Sequence, residues 1–274
     1  MQCDGVSITR NGHAFGEIQS QGKLVDAHNQ VLANYRQKVR LWAGRSLAEI
    51  DIHLEPCQLP AGYPWHAYYA ARWAWRDQHA RLSKSIQWTK SPTSQNRPET
   101  PGFIEIESPA GRTTLLSSGM PYWQRPSARM LDTLLIVDGE SCQDYSMAVA
   151  LDEELPHITR QNWLTPSIIE RVENGPPPAG NSTWLFHLDA PSVMIMDMQA
   201  LPGSDAILVR LLETFGYATE ALLQCPRNPT SASVVNSLGE VQQTLTIGDD
   251  GVQLRLGCYE FLQVRLEFGH SVAS

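Results

Sequence analysis

Five cysteines (Cys3, Cys57, Cys142, Cys225 and Cys258) are scattered through 274 residues, an odd number with no CxxC pair. That excludes a disulfide framework and a zinc knuckle, and leaves reduced thiols as the simplest state. No apolar run approaches the roughly 20 residues that cross a bilayer. The opening residues 1–5 have neither a basic n-region nor an apolar h-region, so no signal peptide is expected. Together with the unpaired cysteines this favours a cytoplasmic setting. There is no basic run and the formal net charge is −8, which leaves no electrostatic case for nucleic acid or an anionic membrane as partner. The eight histidines form no HxH, HExxH or Hx3H pair that would place two ligands on one metal. A GxSxG nucleophile elbow and a glycine-rich phosphate loop are missing too.

What remains is a well-mixed sequence, 42% hydrophobic and 18% charged, as expected of an ordered domain with a full core. The length suits one large all-β domain over residues 1–274. The best internal boundary lies near 174–182, where Pro176, Pro177 and Pro178 are followed by Gly180, Asn181 and Ser182. Strand signals dominate. In residues 48–54, Ile50, Ile52 and Leu54 alternate with Glu49, Asp51 and His53. Residues 103–107 and 112–116 alternate or favour strand on either side of Pro109-Ala110-Gly111. Residues 131–137 end at Asp138-Gly139, a hairpin signal, and residues 145–151 can pair back on them. Residues 244–247 and 252–256 flank a second turn at 248–251, where Asp249 and Asp250 serve turn chemistry. Many short strands with frequent turns predict antiparallel sheets in a sandwich or barrel. Residues 206–213 fit strand or helix equally, and residues 72–86 can end in a helix.

The most unusual local feature is the aromatic run at 63–75. Read as a strand, it sets Trp65, Tyr69, Trp73 and Trp75 on one face and His66, Tyr68, Arg72 and Arg76 on the other. Flat rings stack on the C–H face of a sugar, and Arg or His can bond its hydroxyls. An aromatic layer of the core is the plainer explanation. Asp152, Glu153 and Glu154 are adjacent in sequence and suit a solvated turn better than a catalytic pair, which must face each other across a substrate.

Several segments together resemble the C-terminal region of glycoside hydrolase family 38, the α-mannosidase family. They are Ile104-Glu105-Ile106, Leu115-Leu116, residues 119–122 (Gly-Met-Pro-Tyr), residues 129–136, residues 192–195, residues 208–216 with their RL-E-x-x-G pattern, and the closing residues 261–266. The resemblance runs from about residue 38 to 268 and implies a β-supersandwich of the galactose-mutarotase-like type, with 206–213 as strand. It implies that the chain is a C-terminal fragment of a longer glycoside hydrolase, whose own N-terminal catalytic domain is its partner. That domain supplies the nucleophile, the acid/base and a zinc ion, none of whose motifs occur here, so this chain alone is expected to lack catalytic residues and activity. The loop holding Tyr122, Trp123, Arg125 and Arg129 faces the catalytic domain in the resembled family, which makes these residues candidates for a domain interface or the edge of a mannose-containing sugar site. An ordinary surface loop is the alternative. With Trp65, His66, Tyr69 and Arg72 they complete the candidate set. The competing function is a free-standing carbohydrate-binding or aldose-epimerase-like protein, with His66 or His187 acting beside Glu105 or Glu140.

Overall fold

The alternation of apolar and polar side chains becomes strand almost throughout a computed structural model, which describes residues 1–165, 168 and 184–269. The chain divides into two compact units, Met1–Pro166 and Ser167–Ser274. The expected boundary at 174–182 lies outside the described residues.

The first unit holds β1 (Gln2–Asn11), β2 (Phe15–Val25), β3 (Val31–Trp42), β4 (Leu47–Pro56), β5 (Tyr69–Ala74), β6 (Arg81–Ile86), β7 (Thr89–Pro92), β8 (Phe103–Ser108), β9 (Gly111–Ser117), β10 (Trp123–Ser127), β11 (Met130–Ile136), β12 (Asp144–Leu151) and helix α1 (Pro156–Leu164). Nine strands form one antiparallel sheet in the order β1-β2-β3-β4-β12-β9-β8-β6-β7, and β10-β11-β5 form a second layer. Because side chains alternate, the register decides which residues meet. Tyr145 lies opposite Ile52 and Met147 opposite Ile50, so both pairs share the inner face. There they pack with Ala33, Tyr35 and Leu54 against Leu135, Ile136, Tyr69, Ala71 and Trp73 of the second layer. A neighbouring cluster joins Leu82, Ile104, Ile106 and Leu115 to Trp123 and Leu131. Each large side chain fully buried here contributes roughly 1.5–3 kcal/mol.

On the opposite face of the large sheet, Leu47, Phe103, Leu116, Ala148 and Ala150 are buried, with Trp163 of α1 packed against them. Pro156 opens the helix, where its missing N–H costs nothing. Arg160 fastens it by donating to the carbonyls of Ser117 and Pro101, each at 3.0 Å.

The second unit holds β13 (His187–Leu188), β14 (Val193–Leu201), β15 (Ala206–Glu213), β16 (Thr219–Gln224), β17 (Ser231–Val235), β18 (Val241–Thr244), β19 (Ile247–Gly248), β20 (Gly251–Leu256) and β21 (Phe261–Glu267). A four-stranded sheet, β13-β16-β20-β19, and a five-stranded sheet, β14-β15-β21-β17-β18, share one core that includes Val209, Leu211, Leu223, Val252, Leu254, Val264 and Leu266. The fully buried Glu213 holds the following turn. Its carboxylate accepts from the backbone N–H groups of Phe215 (2.8 Å), Gly216 (2.7 Å) and Tyr259 (3.0 Å). Gly216 has φ of 83°, and a Cβ on it would lie 2.5 Å from the Tyr259 ring.

The all-β reading holds, and residues 206–213 are strand. Two local expectations fail. Residues 72–86 contribute to β5 and β6, and no helix forms, because Ala71 and Trp73 point into the core while Leu82 and Ser85 are buried from β6. Residues 131–137 and 145–151 are not hairpin partners. Asp138-Gly139 does reverse the chain, with Glu140 N–H donating to Val137 O at 3.1 Å. However, β11 pairs with β10 and β5, whereas β12 pairs with β4 and β9. Turn chemistry fixes a reversal, but tertiary packing chooses the partner strand.

Two stability tests follow from this packing. Gly216→Ala and Glu213→Ala should each lower unfolding free energy by about 1–3 kcal/mol in urea titrations, through steric clash and orphaned amides respectively. His157 is buried in α1, and desolvation pulls its pKa down from 6.5 to about 4. The unfolded chain therefore takes up the proton first. His157 costs nothing above its unfolded value, and stability drains away as the pH falls towards the folded value. Between pH 6.5 and 4.5 the loss is about 2 kcal/mol, and urea melts of His157→Gln should show a pH slope flatter by that amount.

Candidate functional site

The inner face of the three-stranded sheet is core, so any site on it must use the outer face. Cross-strand registry lines up Gln124, Asp132 and Arg72 there, with Leu134 opposite Ala70 in the adjacent row. Tyr122, two residues before Gln124, joins that row by accepting the Leu134 N–H at its carbonyl (3.0 Å). Asp132 is fully buried although it points outward, because Arg72 and Tyr68 lie over it. Arg72 donates Nε to Oδ1 at 2.7 Å and Nη2 to Oδ2 at 2.8 Å, a bidentate clamp, and the Tyr68 hydroxyl donates to Oδ2 at 3.0 Å. The hydrogen bonds to Asp132 hold the Arg72 guanidinium above its ordinary pKa. Burial, followed by the same carboxylate, raises the Tyr68 hydroxyl. Arg72 keeps 57% of its side chain exposed, so the buried acid presents a fixed guanidinium to the surface.

Beside this clamp sits an aromatic group. Trp65 meets Tyr122 edge-on, with centroids 5.9 Å apart and planes at 82°. The Arg97 guanidinium stands 5.0 Å above the Trp65 ring and 5.7 Å above Tyr63, and it donates to the Tyr63 hydroxyl at 3.3 Å. His66 packs edge-on against Tyr63 at 5.0 Å. Tyr63 and Tyr122 are about half exposed. An open hollow of about 610 Å³ adjoins the group, lined by Asn96, Arg97, Gln124, Arg125, Pro126, Ser127 and Ala128. Gln124 Oε1 and Arg125 Nε are buried there without a hydrogen-bond partner among the described residues.

The eight sequence candidates therefore separate. Trp65, His66, Arg72 and Tyr122 gather on the outer surface. Trp65 leaves the face assigned to it, because residues 63–67 form a turn (His66 N–H to Tyr63 O, 2.9 Å) and β5 begins only at Tyr69. Tyr69 faces inward, its hydroxyl within donating distance of the carbonyls of Leu32 (2.8 Å) and Gln58 (2.7 Å), which share its one proton. Trp123 is 1% exposed and bonds the Thr100 carbonyl through Nε1 at 3.0 Å. Arg125 and Arg129 brace the β10–β11 turn through the carbonyls of Ala128 (2.9 Å) and Arg76 (3.3 Å). Sequence reasoning missed Arg97, which sits in a polar loop that carries no signal, and Asp132, which reads as an ordinary strand residue.

The proposed histidine–glutamate pairs find other partners. Glu105 is buried and bound to Lys90 at 2.8 Å, Glu140 caps the amides of Ser141 and Cys142, and His187 lies beside Gln224. His53 does touch carboxylates, Asp144 at 2.8 Å and Glu55 at 3.2 Å, which raise its pKa. Both ring nitrogens are thereby occupied. Among the described residues no group of three or more His, Cys, Asp or Glu could hold a metal ion, and no helix is long and apolar enough to cross a membrane.

The asymmetry of the clamp is testable. Arg72→Met should cost on the order of 3 kcal/mol at neutral pH, because it strands a buried carboxylate, whereas Asp132→Asn should cost about half as much. Equal losses for the two variants in denaturant titrations would contradict this asymmetry.

No protein-family model matches the sequence, and no curated protein does. Solved structures do match. One is described as a protein in the glycosyl hydrolase family 38 from Enterococcus faecalis, with TM-score 0.68 and 10% identity over 96% of this chain and 36% of that one. Another, an alpha-mannosidase from Enterococcus faecalis V583, aligns with TM-score 0.70 and 11% identity over 96% of this chain and 35% of its own. At such identities the likeness is one of fold. The chain thus has the β-sandwich fold of one part of family 38 α-mannosidases and spans about a third of their length.

Proposed function

We propose that the chain is the non-catalytic β-sandwich part of an α-mannosidase-like glycoside hydrolase, that it supports a separate catalytic domain, and that its Trp65–Tyr122–Arg97 patch contacts carbohydrate. One observation carries the reading: nearly the whole chain aligns with structures about three times its length. The chemistry of the patch is consistent with it. Trp, Tyr and Arg are enriched where proteins meet, and the same rings can stack on a sugar. Gln124 Oε1 and Arg125 Nε, on residues that line the hollow, are an acceptor and a donor without a hydrogen-bond partner among the described residues. In this reading the nucleophile, the acid/base and any zinc belong to the catalytic domain. The epimerase alternative lacks support, since Glu105, Glu140 and His187 are engaged elsewhere.

Protein-observed NMR of the chain with mannose, manno-oligosaccharides and galactose, with turnover assayed in the same tubes, tests both halves. Localised shifts at Trp65, Tyr122 and Arg97 without hydrolysis or epimerisation are expected. Turnover would end the non-catalytic assignment, and shifts confined to the second unit would remove the sugar role from this patch.

A further inference from the structure

The chain carries a formal charge of −8, yet the segments that bear the aromatic patch are locally positive. Residues 63–76, 96–99 and 122–132 together hold five arginines (Arg72, Arg76, Arg97, Arg125 and Arg129) and two acids, Glu99 and Asp132. Asp132 is fully buried beneath Arg72 and is neutralised there. Arg72 is the one arginine of the five with a carboxylate partner among the described residues.

Backbone pairing decides how these charges meet. The Trp123 N–H donates to Pro98 O at 3.2 Å and the Arg125 N–H to Asn96 O at 2.7 Å, and Glu99 bridges to Tyr122. In that register Arg97 lies opposite Gln124, so one row across the outer face reads Arg97, Gln124, Asp132, Arg72. Glu99 lies in the next row, exposed beside Tyr122. Arg97 passes over this carboxylate, two residues along on its own face, and lies on the Trp65 and Tyr63 rings instead. Arg97 and Arg125 both line the hollow of about 610 Å³, and its other lining residues are neutral. Guanidinium groups gathered without a counter-charge repel one another and favour an anion in the space between them. All five cations are arginine and none is lysine, which suits the forked geometry of an oxyanion.

We propose that the patch takes an acidic sugar, whose carboxylate or phosphate enters the hollow between Arg97 and Arg125 while its ring lies towards Tyr122 and Glu99. The assignment rests on the sugar reading above and narrows it to one class of ligand. The face orients that ligand: the arginines hold the oxyanion, whereas Glu99 repels it and accepts from hydroxyls at the other end.

NMR titration of the 274-residue chain at low salt tests this with mannose, mannuronate and mannose 6-phosphate, and with acetate and inorganic phosphate as anions that carry no ring. At least one acidic sugar should bind about tenfold more tightly than mannose, with shifts at Arg97, Arg125 and Tyr122. The tighter of the two identifies the oxyanion. The preference should vanish at about 0.5 M salt, where exposed charges are screened. Arg97→Gln should cut it to about threefold or less, and Glu99→Gln should enlarge it by removing a repulsion. Arg255→Gln, an equal change of net charge on an exposed residue of the second unit, should leave it intact. Mannose bound as well as both acidic sugars overturns the proposal and leaves the sugar reading standing. Acetate or phosphate bound as tightly as the acidic sugars overturns it too, because the ring then contributes nothing, and so do shifts centred away from the hollow. If no sugar binds at all, the proposal falls together with the sugar reading.

Discussion

A carboxylate fully removed from water must be neutralised where it lies, and Asp132 is the residue on which the outer face of the first unit depends. Two of its lone pairs are taken by one guanidinium and another by a phenol. Those bonds pin Tyr68 at the entry to β5 and Arg72 in its middle. They therefore fix where the turn at 63–67 leaves the sheet, and with it where Trp65 meets Tyr122. The inner face of the same strands is held differently, by apolar burial and by Trp73 Nε1 donating to Thr133 Oγ1 at 2.9 Å. One thin sheet thus has a dry side that supplies stability and a polar side that holds side chains in place.

This division explains what was legible in the sequence. Period-two alternation is set by burial on one face, so residues 48–54, 103–107 and 206–213 could be read as strands or as strand candidates. Strand partnership is set by which layers cover which faces, and no local pattern in residues 131–151 reveals that β11 and β12 belong to different sheets. The aromatic run was visible as composition, but its faces were not. Period-two counting assumed extended backbone through residues 63–68, whereas backbone hydrogen bonds from His66 and Ala67 to the Tyr63 carbonyl close a turn there. Arg97 could not be found at all, since it reaches Trp65 across more than thirty residues of chain.

Several residues of the segments that resemble α-mannosidases are structural. Asp132 anchors the clamp, Leu131 and Ile136 are core, Glu213 caps three amides, and Gly216 makes room for Tyr259. Residues of this kind are constrained by packing and by backbone geometry that few substitutes meet. They can therefore mark an architecture even when overall identity to solved structures is only 10–11%. For the same reason they say nothing about a sugar or a reaction, because none of them presents a free group to solvent. Any chemistry belongs to side chains outside those constraints. In the first unit these are the rings and guanidinium groups that Asp132 and the 63–67 turn hold at the surface. Their placement is fixed by a buried charge, whereas their identities are free to follow whatever they touch.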